Sequence, residues 1–144
     1  GVVVSCPGAK VDLVKEEKAD ATKAKVKVSV PADAPVGLYG MRLATRQGVS
    51  NLRPFVVDDL PAVAETDANR TKDAAQPVTA PCVVLGRTDP EASDFFKLKV
   101  SAGQRLTFEV LARRIGSPLD PIVVLHDGKT KRELIDKYAD DTPG

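Results

Sequence analysis

Alternation of apolar and polar side chains, broken every few residues by proline or glycine, is the feature that most restricts how this chain can fold. Val26, Val28 and Val30 fall on one side of an extended chain, and Lys25, Lys27 and Ser29 on the other. That period of two marks a half-buried strand. Tyr39, Met41 and Leu43 repeat it against Gly40, Arg42 and Ala44. So do Phe96, Leu98 and Val100 against Lys97, Lys99 and Ser101, and Leu106, Phe108 and Val110 against Arg105, Thr107 and Glu109. The 11 prolines and 10 glycines are spread along the 144 residues. Such punctuation suits short strands joined by turns and opposes long helices. No long segment carries a 3.6-residue period, so the sequence reads as all-β.

The order of these segments suggests two modules. Val2 to Val4 and Val11 to Val14 are short apolar runs around Cys6-Pro7-Gly8. Turns are expected at Pro31 to Gly37 and at Gln47 to Asn51, with a further strand at Phe55 to Val57. Residues 1–59 thus read as about five short strands, an immunoglobulin-like sandwich pattern. Asp58 to Pro81 is polar, acidic and proline-bounded, which places a boundary near Asp59-Leu60-Pro61. Within it, Thr71 to Gln76 is long enough for one helical turn and too short to sustain a helix. Residues 60–144 resume as strands. Cys82 to Leu85 is apolar, and the two alternating runs around Ala102-Gly103-Gln104 predict a hairpin. Pro121 to Leu125 is continuously apolar and is expected to be more buried than the other strands. Asp127-Gly128 signals a turn before Leu134 and Ile135.

Composition excludes several function classes. The 21 basic and 20 acidic side chains give a net charge of +1. Such a balance provides no electrostatic footprint for nucleic acid or an anionic membrane. The apolar runs are far shorter than the roughly 20 residues of a membrane span, so no membrane insertion is expected. With 4 Phe, 2 Tyr and no Trp, no platform of stacked aromatics for sugars is advertised. No signal peptide opens the chain. It begins at Gly1 in what reads as mid-strand and ends at Gly144 in what reads as a loop. We therefore expect a piece of a longer protein, with the first module incomplete at its N-terminus and the second at its C-terminus. Cys6 and Cys82 form no metal-ligand cluster and no redox motif. Buried free thiols and a disulfide in an oxidising compartment both remain open.

Residues from Ala62 onward carry a resemblance. Glu65-Thr66-Asp67-Ala68-Asn69 followed by Ala75-Gln76-Pro77-Val78, and Gly86-Arg87-Thr88-Asp89 followed by Asp94-Phe95-Phe96-Lys97-Leu98, are its first two pieces. Ala102-Gly103-Gln104-Arg105-Leu106 is the third, and Leu119-Asp120-Pro121 with Leu125-His126-Asp127-Gly128 the fourth. In that order they resemble the bacterial pre-peptidase C-terminal (PPC) domain, and Asp140-Asp141 is similar to its later acidic pair. Val36-Gly37-Leu38-Tyr39 and Gly48-Val49-Ser50-Asn51-Leu52-Arg53-Pro54-Phe55 resemble the immunoglobulin-like module that often precedes such domains. The resemblance implies a jelly-roll-type β-sandwich after an immunoglobulin-like one, in a secreted or cell-surface bacterial protein. It also implies an accessory, targeting or binding role, with calcium bound in some members.

The sharpest chemical expectation is a calcium site. Calcium takes six to eight oxygen ligands from loop carboxylates and carbonyls. Glu65, Asp67 and Asn69 form an oxygen-rich set in one loop, and the resemblance brings Asp94, Asp140 and Asp141 near it. Arg70 opposes this expectation, because a guanidinium beside the site repels the ion. The competing expectation is a solvated acidic loop in which Arg70 is a salt-bridge partner. His126 is the only histidine and is expected at a strand end beside the Asp127-Gly128 turn. Ser5 and Ser117 lack an activating base. Asp89, Glu91 and Asp94 are expected to be solvated loop carboxylates rather than a glycosidase pair. Arg113-Arg114 and Lys129-Thr130-Lys131-Arg132 are the densest basic spots; Asp127, Glu133 and Asp136 neutralise the second.

These readings converge on a non-catalytic structural, adhesion or protein-interaction module. The alternative is an accessory module holding polysaccharide or protein substrate for a secreted hydrolase, with calcium as an aid. Expected partners are neighbouring domains of the same polypeptide, other surface proteins or polysaccharide.

Overall fold

The computed structural model describes residues 1–14, 23–87, 89 and 92–134, together with the backbone of 139–140. These residues hold twelve short strands and one 3-10 helix, with no α-helix among them. The all-β class read from alternation is therefore observed. The chain divides into two compact units. Gly1–Asp58 with Leu111–Leu119 form the first, and Asp59–Val110 with Asp120–Gly144 the second.

The first unit is organised by its longest strand. β1 (Val2–Val4), β2 (Lys10–Leu13), β3 (Val26–Ser29), β4 (Gly37–Thr45), β5 (Gly48–Val49) and β6 (Arg53–Val57) follow in order. β4 lies between β1 and β6 and is antiparallel to both. Residues directly opposite in such pairs share a face. One face therefore carries Val2 and Val4 against Leu43 and Met41, with Tyr39 against Phe55. The Tyr39 and Phe55 rings lie 5.9 Å apart, and the Tyr39 hydroxyl donates to the Pro35 carbonyl at 2.7 Å. β2 and β3 pair separately and antiparallel, with Val11 opposite Val28 and Asp12 opposite Lys27. Val11, Val26 and Val28 are half-buried while Lys10, Lys27 and Ser29 are exposed, as alternation demands.

Part of the expected 47–51 turn is instead a strand. Gly48 and Val49 return along β4 opposite Thr45 and Ala44. The Thr45 hydroxyl accepts from the Gln47 amide at 3.2 Å and donates to the Gly48 carbonyl at 3.3 Å. The tight reversal is thereby held by a side chain within the turn. Leu111–Leu119 adds a 3-10 helix at Arg113–Ile115. Gly116 ends it in the left-handed region at φ 79°, with its amide on the Arg113 carbonyl. A Cβ at Gly116 would lie 3.5 Å from Pro54 Cδ, so this turn rests on β6.

Gly8 is the most constrained turn position of this unit. Its φ is +69°, and a Cβ there would meet Pro31 Cγ at 2.9 Å. An L side chain is disfavoured in that region, and the proline ring leaves little room to adjust. Gly8→Ala is expected to destabilise the chain by about 1–2 kcal/mol, read as a lowered urea midpoint with an unchanged slope.

The second unit holds β7 (Ala62–Ala64), β8 (Gln76–Val78), β9 (Val83–Leu85), β10 (Phe96–Leu98), β11 (Ile122–Val123) and β12 (Ala139–Asp140). β7 pairs with β9 and β8 with β10, both in parallel, whereas β11 and β12 are antiparallel. Asn69, Ala75 and Val78 are buried here.

Three expectations are corrected in this unit. The expected hairpin around Ala102–Gln104 is not seen among the described residues: β10 pairs with Gln76–Val78, and 105–110 carries no strand there. The Gln104 side chain accepts from the Ser101 amide at 3.0 Å. The turn is thus closed locally, without a strand pair behind it. Pro121 to Leu125 yields only the two-residue β11, and Ile122 is 65% exposed. Pro121 and Val123–Leu125 are half-buried, so the run is no more buried than β6. Thr71 to Gln76 forms no helical turn; the Thr71 hydroxyl takes the Ala74 amide at 3.2 Å, and β8 begins at Gln76.

Candidate functional site

The densest polar arrangement of the second unit is built on the loop after β7. The Glu65 amide donates to the Leu85 carbonyl at 3.0 Å, which extends the β7–β9 pairing by one step. The chain then turns, with the Asn69 amide on the Thr66 carbonyl at 3.4 Å. Gln76, at the start of β8, staples this turn. Its Oε1 accepts from the Thr66 amide at 2.8 Å, and its Nε2 donates to the Ala64 carbonyl at 2.8 Å. The Phe95 amide closes the other side by donating to the Asn69 carbonyl at 2.8 Å.

Asn69 is fully buried at 0% exposure. Its Nδ2 donates to Glu65 Oε1 at 3.1 Å, while its Oδ1 is buried without a partner. The second Glu65 oxygen accepts from the Arg87 amide at 2.6 Å. Gly86 makes this approach feasible, since a Cβ there would stand 2.9 Å from Glu65 Oε2. Partial burial raises the Glu65 pKa, but the Arg87 amide, the Asn69 amide, Asp94 and the Arg70 charge outweigh it. The net effect holds the carboxyl below its ordinary range.

Arg70 bridges the neighbouring carboxylates. Nη1 pairs with Asp94, and Nη2 lies 3.5 Å from Asp89. The Arg70 side chain is 33% exposed, Asp94 14% and Asp89 73%. The ion pair therefore runs from a nearly buried carboxylate out to a solvated one. Beside it opens a groove of about 510 Å³, lined by Glu65, Asp67, Arg70, Leu85, Gly86, Arg87 and Asp89.

Of the residues expected to ligate calcium, Glu65, Asn69 and Asp94 come together, and Asp67 lies on the groove wall. Asp140 enters through its backbone pairing with Ile122; its side chain and Asp141 lie outside the described residues. Among the described residues, no group of three or more His, Cys, Asp or Glu side chains is placed to hold a metal ion. As arranged, the cluster does not fit calcium, because the Arg70 guanidinium stands on the carboxylates that would have to turn to the ion. The salt-bridge role anticipated for Arg70 is what the geometry contains. The Gln76 staple and the Arg87 amide are not signalled in the sequence, since both depend on which strands lie side by side.

Other candidates are engaged locally. His126 forms an isolated β-bridge with Glu133, and its Nδ1 lies 3.5 Å from Lys72 Nζ. Lys72 and Lys131 donate to each other's backbone carbonyls at 3.3 and 3.4 Å, and Lys131 pairs with Asp73 at 3.3 Å. Asp127 Oδ1 takes the Thr130 amide and hydroxyl and the Lys129 amide. The Thr130 bonds are the main cause of its lowered pKa. The Ser5 hydroxyl accepts from the Gly40 amide at 2.8 Å, and that of Ser117 from the Leu119 amide at 3.2 Å. Glu91 and Asp136 lie outside the described residues. Cys6 and Cys82 are both free thiols, the former buried.

Among the described residues, no helix is long and apolar enough to cross a membrane. No protein-family model matches the chain, and neither a curated protein nor a solved structure does.

Proposed function

We propose that this chain is a non-catalytic interaction module of a secreted or cell-surface bacterial protein. It would consist of an immunoglobulin-like β-sandwich followed by a jelly-roll-type, PPC-like one. The observation that carries the reading is an apolar face left open on the β1–β4–β6 sheet. Leu38, Gly40 and Arg42 share that face with Val56, Pro54 and Val3 opposite them. Leu52 lies over Gly40, where a Cβ would come within 2.5 Å of it. Val3 is 62% exposed, and Leu38 and Leu52 50% each. Apolar side chains gathered on one sheet face favour contact with another surface.

Leu38→Lys with Leu52→Lys is expected to abolish concentration-dependent association or capture of surface proteins, while the strand signal in circular dichroism is retained. Unchanged association in this folded variant, or turnover of peptide or glycoside substrates by the chain, would remove the reading.

The groove beside Glu65 favours a second reading, an accessory module that holds polysaccharide or protein for a neighbouring hydrolase. Arg87 and Asp67 offer opposite charges on its walls. Replacing both by alanine is expected to weaken such binding by about tenfold, the loss of roughly one charge-assisted contact. Titration calorimetry checks this, and equal affinity in the variant would sink it.

A further inference from the structure

The groove beside Glu65 presents two charges that the fold itself does not use. Of the two guanidiniums on its walls, Arg70 is committed to Asp94 and Asp89. Arg87 is held by its backbone, through its amide on Glu65 Oε2. Its exposed guanidinium has no ion-pair or hydrogen-bond partner among the described residues. The carboxylates divide in the same way. Both Glu65 oxygens are taken, one by Asn69 Nδ2 and one by the Arg87 amide, and Asp89 faces Arg70. Asp67 is exposed and, among the described residues, unpaired. One cation and one anion thus remain, on the loops after β9 and β7. Their backbones are fixed in advance. Gln76 Oε1 takes the Thr66 amide next to Asp67, and Glu65 holds the Arg87 amide. Only the two side chains have to order on binding. Leu85, 61% exposed, adds an apolar surface to the same groove.

The same lining selects against other ligands. No aromatic ring faces the groove, so a neutral sugar ring has nothing to stack on. Carboxylates outnumber guanidiniums on its walls by three to two, which opposes a polyanion such as a uronate chain. Its volume of about 510 Å³ lies within the roughly 300–1,000 Å³ that ligand sites occupy. We propose that this groove binds a short polypeptide segment in which a basic, an apolar and an acidic side chain lie close together. The acid meets Arg87, the base meets Asp67, and the apolar side chain rests on Leu85. The inference rests on the accessory-module reading of the groove and narrows its ligand from polysaccharide or protein to protein.

Backbone-amide NMR titrations of the isotope-labelled whole chain test the proposal with three probes: a short capped peptide repeating Lys-Leu-Asp, polygalacturonate, and dextran. The peptide is expected to shift the amides of 65–67 and 85–87, and the two polysaccharides to leave them unmoved. Arg87→Gln and Asp67→Asn, both at exposed positions, are each expected to weaken peptide binding about threefold, the loss of one solvent-exposed ion pair. Exchanging Asp for Asn in the peptide separates the two contacts. It should weaken binding to the unsubstituted chain and to Asp67→Asn, but not to Arg87→Gln. Affinity unchanged in both variants, or peptide shifts confined to other residues, overturns the assignment. Shifts of the same amides by polygalacturonate or dextran overturn it too, while leaving the accessory-module reading in place. If none of the three probes moves these amides, the inference and that reading of the groove fall together.

Discussion

Asn69→Ala is expected to destabilise the second unit by about 2–3 kcal/mol, among the largest effects of any single truncation in the chain. Asn69 is its one fully buried polar side chain among the described residues. Truncation removes the Nδ2 donor and leaves Glu65 Oε1 without that partner in a partly buried position. It also opens a small void where the amide stood. The loss of the unpartnered Oδ1 offsets part of this cost, since a buried acceptor without a donor is itself unfavourable. Asn69→Asp is expected to be worse than Asn69→Ala, because it sets a second carboxylate against Glu65 in the same buried position. Urea unfolding of both variants checks the order. An Asn69→Ala midpoint equal to that of the unsubstituted chain would show that the Asn69–Glu65 bond does not hold the loop.

The clarity of alternation decided which parts of this fold were legible in the sequence. At Val26–Ser29 the valines are half-buried and Lys27 and Ser29 exposed, at Gly37–Thr45 Tyr39, Met41 and Leu43 are half-buried and Arg42 exposed, and both segments are strands. The same alternation at Arg105–Val110 joins no ladder among the described residues. Alternation records which side of an extended chain meets water; it says nothing about which chain lies beside it. The parallel pairing of Phe96–Leu98 with Gln76–Val78 joins segments separated by a whole strand, β9, and by its flanking loops. Local pattern carries no signal for such a partner. Pro121–Leu125 departs from expectation for a related reason: how deeply an apolar run is buried depends on what covers it, and Ile122 is exposed while the rest of the run is half-buried.

The cluster was legible in its ingredients more than in its arrangement. Glu65 and Asn69 stood out as oxygen-bearing residues four apart, and the turn between them does place one on the other. Arg70 stood out as the residue most hostile to a metal. What no spacing reveals is that Arg70 reaches Asp89 and Asp94. Nor does it reveal that the Gln76 side chain pins Thr66 and Ala64 at once. Both depend on the β7–β9 and β8–β10 pairings, so the site was unreadable for the same reason as the strand partners.

Acid is expected to weaken the second unit through Glu65. Burial acts to raise its pKa, and the bonds from Arg87 and Asn69, the contact with Asp94 and the Arg70 charge lower it further than burial raises it. In the unfolded chain the group returns to about 4.3. Between that value and the lowered folded one, the unfolded state binds more protons, so stability rises with pH across this window. The contribution is fully present above the unfolded value. It fades as pH falls below about 5 and is gone once pH passes the folded value. Asp127 adds a change of the same sign, through the Thr130 and Lys129 bonds to its carboxylate. Glu65→Gln should separate the two. Its amide can present only one acceptor oxygen, so it cannot accept from both Asn69 Nδ2 and the Arg87 amide as two separate carboxylate oxygens do. A loss of about 1–2 kcal/mol at neutral pH is expected. As pH falls from about 5 through the lowered folded value, the variant and the unsubstituted chain should converge, because Glu65 once protonated no longer offers its charge. Melting temperatures of both, with Asp127→Asn as a background, measured from pH 7 down to pH 3, check this. Parallel curves across that range would mean that Glu65 carries no charge-dependent part of the fold's stability.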